Sequence, residues 1–126
     1  MNKYNTLVHI QDWKDYKSHY IFEVNGHGMI RVTQYNNEFE LSDLFIKDGY
    51  RQQGMGTHLL NEAISYCKEL ADHGKIIIFT NKHSEKFADD WYKRIGFIFD
   101  HIETPICNSF EETGDLEWSN VYKIEF

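Results

Sequence analysis

No run of this sequence is apolar for long enough to span a bilayer, which takes about 20 consecutive residues, and Met1 to Asn5 do not resemble a signal peptide. The expectation is a cytoplasmic protein with no membrane partner. Cysteine is scarce as well: Cys67 and Cys107 are too few and too far apart for a disulfide framework or a zinc site, and both read as reduced thiols. With no H-x-H or H-E-x-x-H spacing, no metal site is expected. Basic residues are outnumbered, 13 Lys and Arg against 20 Asp and Glu, for a formal net charge of −7. That argues against nucleic acid as the main partner and is compatible with a cationic substrate. There is no internal repeat, linker or low-complexity tract. A chain of 126 residues reads as one domain, 1–126, able to bury roughly two thirds of its unfolded surface.

What is present is a sequence of alternating and periodic segments. Residues Tyr4 to Ile10 suit either a strand or the start of a short helix. From Tyr20 the pattern sharpens: Tyr20 to Val24, a turn at Asn25-Gly26-His27-Gly28, Met29 to Tyr35, a turn at Asn36-Asn37, then Glu38 to Lys47. Alternation bounded by Asn and Gly turns predicts consecutive antiparallel hairpins. Thr57 to His73 carries Leu59, Leu60, Ala63, Ile64, Cys67, Leu70 and Ala71 at helical spacing, with Gly74 as its stop. Lys75 to Thr80 predicts a buried strand, parallel in its pairing and reached by a right-handed crossover. A second helix over Ser84 to Arg94 ends at Gly96, followed by strands over Phe97 to Ile102 and Leu116 to Phe126. The expected class is α/β with a central mixed sheet: an antiparallel meander, then strand-helix-strand-helix-strand-strand.

The chemistry concentrates in Asp48 to Thr57, between the third meander strand and the first helix. Glycines there let backbone N–H groups converge, and the N–H groups of a helix start lack partners and carry positive charge, so the loop suits an anion, phosphate first. A dinucleotide fingerprint would need a third Gly where Leu59 stands, and a triphosphate loop would need Lys after Gly56. A strand-to-helix turn with two glycines for conformational reasons alone remains the plain alternative.

Arg51-x-x-Gly54-x-Gly56 before the first helix, and Ala88-x-x-Trp91-Tyr92-Lys93-Arg94-Ile95-Gly96-Phe97 closing the second, together resemble the GNAT superfamily of acetyl-CoA-dependent N-acetyltransferases. The first resembles that family's pyrophosphate loop and the second its helix ending in aromatic-Tyr and Gly-Phe; the match covers Glu38 to about Ile102. Glu85 stands where the family often has Asn. The region before the meander is shorter than usual, so the helices that commonly help form the acceptor site are expected to be reduced.

The resemblance implies acetyl-CoA as co-substrate, its diphosphate held by Arg51, Gln52, Gln53, Gly54, Met55, Gly56 and Thr57. It implies that the pantetheine arm pairs with Leu44, Phe45 and Ile46, where one N–H holds the thioester oxygen as it becomes an oxyanion. It assigns to Tyr92 the proton for the departing thiolate; the plain reading of Tyr92 is a half-buried aromatic. Glu40 lies where some members carry a strand carboxylate that serves as base, though a solvated surface Glu is the commoner role for such a residue. His27, His83 and His101 are lesser candidates. The reaction implied is direct transfer to a primary amine in a ternary complex, with no covalent intermediate, since Cys67 is on the wrong element. The acceptor amine, small molecule or protein, is not legible, and self-association as a homodimer is left open. A non-catalytic acyl-CoA-binding regulatory or interaction module of the same fold is the rival reading.

Overall fold

A computed structural model describes residues 6–12, 18–51, 54–81, 85–103 and 119–126. The undecided N-terminal stretch is a strand, β1 (Thr6–Asp12), paired antiparallel with β2 (Ser18–Val24) from Thr6↔Val24 to Asp12↔Ser18. The next turn needs a left-handed backbone at both central residues, and Asn25 (φ 51) and Gly26 (φ 72) provide it. The His27 N–H closes the turn on the Val24 carbonyl at 2.8 Å. β3 (Gly28–Tyr35) follows, and Asn36 (φ 55) turns the chain into β4 (Glu38–Ile46). Beyond these lie α1 (Met55–Leu70), β5 (Lys75–Asn81), α2 (Glu85–Ile95), β6 (Ile98–Glu103) and β7 (Ser119–Glu125). The architecture is the expected α/β one: a meander, then strand-helix-strand-helix-strand-strand.

The chain divides into two compact units, Met1–Ile76 with Glu125–Phe126, and Ile77–Ile124. In the first, the strands lie in the order β1-β2-β3-β4 and α1 covers one face of β2, β3 and β4. Period-two alternation puts Tyr20, Phe22, Val24, Ile30, Val32, Phe39 and Leu41 on that face, where they meet Leu59, Leu60, Ala63, Ile64 and Cys67. Each Val, Leu, Ile or Phe among them contributes about 1.5–3 kcal/mol by leaving water. In the second unit the order is β5-β7-β6, with β6 antiparallel to β7 from Ile98↔Lys123 to Glu103↔Ser119. Its core holds Ile78, Ala88, Tyr92, Phe97, Val121 and Tyr122.

Both bounds of α1 differ from the sequence reading, for physical reasons. α1 begins two residues before Thr57, at Met55, because Gly54 (φ 82) turns the chain directly into the first helical turn. It ends at Leu70, with Ala71 already extended, so Gly74 is not its stop. Gly74 instead lets two backbones touch. Its N–H donates to the Phe126 carbonyl at 2.8 Å and its own carbonyl accepts from Phe126 at 3.0 Å, while a Cβ there would strike the Asn37 carbonyl oxygen. The adjacent Lys75 N–H donates to that same oxygen at 2.9 Å. Ser84, Leu116 and Trp118 lie outside the described residues.

Candidate functional site

The loop that leaves β4 is shaped by its first glycine. Tyr50 N–H donates to the Lys47 carbonyl at 3.0 Å across Asp48 and Gly49, and Gly49 has φ 91, which is the third-position requirement of a type II turn. The Lys47 N–H donates in turn to the His27 carbonyl at 2.7 Å, and the His27 and Tyr50 rings stack at 3.7 Å and 9°. Arg51 reaches back, donating from Nε to the Ile46 carbonyl at 3.1 Å and standing 3.4 Å from Asp48. It therefore ties the loop to the end of β4. Gln52 and Gln53, expected in the anion cradle, lie outside the described residues.

Gly54 is the N-cap of α1 in a left-handed conformation, with no side-chain cap hydrogen bond and no acidic residue in the first turn. Such a helix start keeps its positive character for a ligand. Met55 turns its side chain inward and Thr57 is exposed, so within the cradle Met55 has only its backbone to offer. Gly28 sets how closely this turn approaches the sheet: a Cβ on it would lie 2.7 Å from Met55 Sδ, 3.0 Å from Ile46 Cδ1 and 3.3 Å from Leu59 Cδ1. The sequence had marked Gly28 only as a turn residue.

β4 does not alternate to its end. Met29 pairs with Phe45 but Arg31 pairs with Ser42, so Asp43 and Leu44 together oppose Ile30, a β-bulge in which Asp43 takes φ 54. Asp43 is held by Arg31 at 3.2 Å. The bulge reverses the facing of Leu44, Phe45 and Ile46: Ile46 turns towards α1 while Phe45 is 55% exposed. A bulge also interrupts the ladder, the local condition for a strand backbone to take another partner. Before it, Glu40 is half-buried and stands beside Thr33, which stands beside His19; Thr33 Oγ1 and His19 Nδ1 are 3.1 Å apart.

Tyr92 belongs to the second unit. It is 7% exposed, deeper than the half-buried position expected from the sequence, and packs among Trp91 (5.5 Å), Phe97 (5.7 Å) and Tyr122 (5.5 Å, edge-on at 70°). Burial pushes its phenol from 10.0 up to about 12. Ala88 and Tyr92, four apart, form the buried line of α2, and Trp91 and Ile95 lie beside it half-exposed. Gly96 (φ 128) ends the helix: its N–H and that of Phe97 both donate to the Tyr92 carbonyl, at 3.1 and 2.9 Å.

The remaining candidates are engaged elsewhere or fall outside. His101 lies 2.6 Å from Asp100, which also pairs with Lys123 at 3.1 Å. His27 packs on Tyr50 with Nδ1 buried and without a hydrogen-bond partner. His83 and Cys107 are outside the described residues. Burial pushes the Cys67 thiol up to about 12, which keeps it from acting as a nucleophile. Among the described residues no three His, Cys, Asp or Glu side chains converge as metal ligands would, and no helix is long and apolar enough to cross a membrane.

Comparison with known proteins agrees with this geometry. Residues 9–108 match the family model described as acetyltransferase (GNAT) domain. Over 105 residues the chain is 26% identical to streptothricin acetyltransferase A of Bacillus subtilis (strain 168), covering 82% of this chain and 60% of that protein. The chain thus spans about three fifths of the curated relative it matches. Among solved structures, a GNAT family acetyltransferase from Elizabethkingia anophelis with acetyl-CoA bound superposes with TM-score 0.71 at 17% identity, covering 97% of this chain and 99% of that one. Spermidine/spermine N-acetyltransferase of Vibrio cholerae gives 0.68 at 16% identity, covering 89% and 66%. At these identities the structures speak for the fold, while the family model spans most of the chain: this protein belongs to the GNAT acetyltransferase domain family.

Proposed function

We propose that this chain is an acetyl-CoA-dependent N-acetyltransferase that moves an acetyl group to a primary amine by direct attack in a ternary complex. The observation that carries it is the head of α1, where left-handed Gly54 and the absence of a side-chain cap or a first-turn acid keep the backbone N–H end for an anion such as the CoA diphosphate.

The steps follow from the chain's own residues. The amine must lose a proton before it attacks, since an alkylamine near pKa ~10.4 is mostly protonated at neutral pH. Glu40, half-buried on its strand face, is the base we assign. The new C–N bond forms as the thioester oxygen becomes an oxyanion, which a backbone N–H of the Leu44–Ile46 segment receives. The attacking nitrogen then releases its remaining ammonium proton to solvent, and collapse breaks the C–S bond and expels the thiolate, to which the Tyr92 hydroxyl donates. Because burial holds Tyr92 near 12, its phenolate is a stronger base than a free thiolate, whose thiol lies near ~8.5. Tyr92 therefore acts chiefly as a hydrogen-bond donor to the sulfur, and full transfer completes only where desolvation raises the thiolate's own basicity.

Thiol release from acetyl-CoA, measured against an amine panel containing streptothricin, spermidine and a lysine peptide, tests the reading. Turnover with at least one amine and none without is expected. Tight CoA binding with no turnover across the panel would instead support the non-catalytic module.

A further inference from the structure

Tyr122 is 1% exposed, at the centre of β7. A phenol buried that deeply must pair its hydroxyl, since an unpaired buried donor is costly. Its partner comes from α2: Tyr122 Oη donates to Asp89 Oδ1 at 2.5 Å. The second oxygen of the same carboxylate, Oδ2, takes Lys93 Nζ at 2.9 Å. Both bonds favour the ionised form, and they hold Asp89 below the usual carboxylate range, the Tyr122 hydroxyl first and Lys93 second.

The same tyrosine touches α2 a second time. Its ring meets Tyr92 edge-on, with centroids 5.5 Å apart, and Tyr92 sits three residues after Asp89, on the adjoining turn. Ring and hydroxyl of one β7 residue thus bear on neighbouring points of one helix face. Apolar ring packing alone, being non-directional, resists turning of the helix about its axis only weakly. Two contacts, one of them a directional bond to a carboxylate, resist that rotation. Rotation is the motion to which Tyr92 is most sensitive, because a phenol tip stands far outside the ~2.3 Å Cα radius of a helix and moves furthest when the helix turns. At the other end, the Tyr92 carbonyl accepts from both Gly96 and Phe97, so the backbone beneath the ring is held as well.

We propose that Tyr122 and Asp89 are positioning residues: their hydroxyl–carboxylate bond locks the rotation of α2 and thereby aims the Tyr92 hydroxyl at the leaving sulfur. The inference rests on the reading of Tyr92 as the group that serves the thiolate. It assigns a task to two residues that lie outside the recognisable loop and helix-end motif positions, one of them in a strand 33 residues away in sequence.

The test is steady-state kinetics on Tyr122→Phe, Asp89→Ala, Tyr92→Phe and the double variant Tyr92→Phe/Tyr122→Phe, with CoA affinity by calorimetry and thermal unfolding as controls. Tyr122→Phe keeps the ring and removes only the bond; Asp89→Ala cuts the same bond from a half-exposed position, so a folding failure in one leaves the other to read. A misplacement of about 1 Å can cost around 10²-fold, so each single variant is expected to lose about 10- to 100-fold in kcat with acetyl-CoA KM and CoA affinity unchanged. Added to Tyr92→Phe, Tyr122→Phe should cost less than about twofold, because there is no hydroxyl left to aim. A parent-like kcat in both Tyr122→Phe and Asp89→Ala, beside an impaired Tyr92→Phe, overturns the positioning role and leaves Tyr92 in place. So does a Tyr122→Phe loss that repeats in full on the Tyr92→Phe background. A parent-like Tyr92→Phe overturns the reading of Tyr92 and this inference together.

Discussion

On the function proposed above, the working groups at the head of α1 are backbone N–H groups, which left-handed Gly54 presents in largely exposed surroundings. At the end of α2 the working group on the same proposal is the Tyr92 side chain, and an aromatic cluster buries it until its phenol rises to about 12. A diphosphate carries its own charge and many oxygens, so it is served by many weak dipoles that any short loop can present. A leaving sulfur develops charge at one atom and at one moment, so it needs one donor held in place. The first task asks for backbone conformation, the second for packing.

Substitutions sharpen or break that contrast. Tyr92→Phe should have the largest effect: kcat falls by about 10²–10⁴-fold, as for a missing general acid or donor, with little change in acetyl-CoA KM. Single-turnover kinetics check that the chemical step is the one affected, and an unchanged rate would reduce Tyr92 to packing. The same variant tests the burial. Because the folded pKa is raised, the native state keeps this proton longer than the unfolded chain does. Its stabilisation is complete below pH ~10 and is lost as pH rises through about 12. At two units this amounts to roughly 2–3 kcal/mol. Alkaline unfolding curves should therefore fall more steeply in the parent than in Tyr92→Phe.

Gly54→Val comes next and should act on binding. The side chain would stand in the anion's place, and acetyl-CoA affinity by calorimetry should drop about tenfold or more, near 1.4 kcal/mol. Since Gly54 has φ 82, the variant also costs about 1–2 kcal/mol of stability, which thermal unfolding would register. A variant that lost kcat but bound CoA like the parent would erase the contrast between the two regions. The smallest effect is expected at Glu40→Gln. It removes basicity at similar shape, so its rate deficit should shrink as pH rises and more amine is already neutral. A pH profile parallel to the parent's would remove Glu40 from the reaction.

The N-terminal meander was legible because Asn25-Gly26 and Asn36-Asn37 adopt turn conformations by their own sterics, whatever surrounds them. Gly96 was legible as a helix end for the same reason. Gly74 was misread because the same residue type serves two needs, a left-handed backbone or a missing Cβ, and only the neighbouring Asn37 carbonyl shows which one applies. The bulge at Asp43 left a sign that went unread: polar-apolar alternation stops at Leu41, where Ser42-Asp43 is followed by Leu44-Phe45-Ile46, but only the pairing of Arg31 with Ser42 shows that an extra residue is inserted there.

By itself the sequence determined the order of elements, the glycine loop before α1 and the motif that marks Tyr92, because these depend on local backbone preference and on spacing along the chain. Only the tertiary structure decided how deeply Tyr92 is buried, which way Ile46 and Phe45 face, and that Tyr122 grips α2 through Asp89. Those properties arise from desolvation and from contacts between residues far apart in sequence. Spacing along a chain carries no record of either.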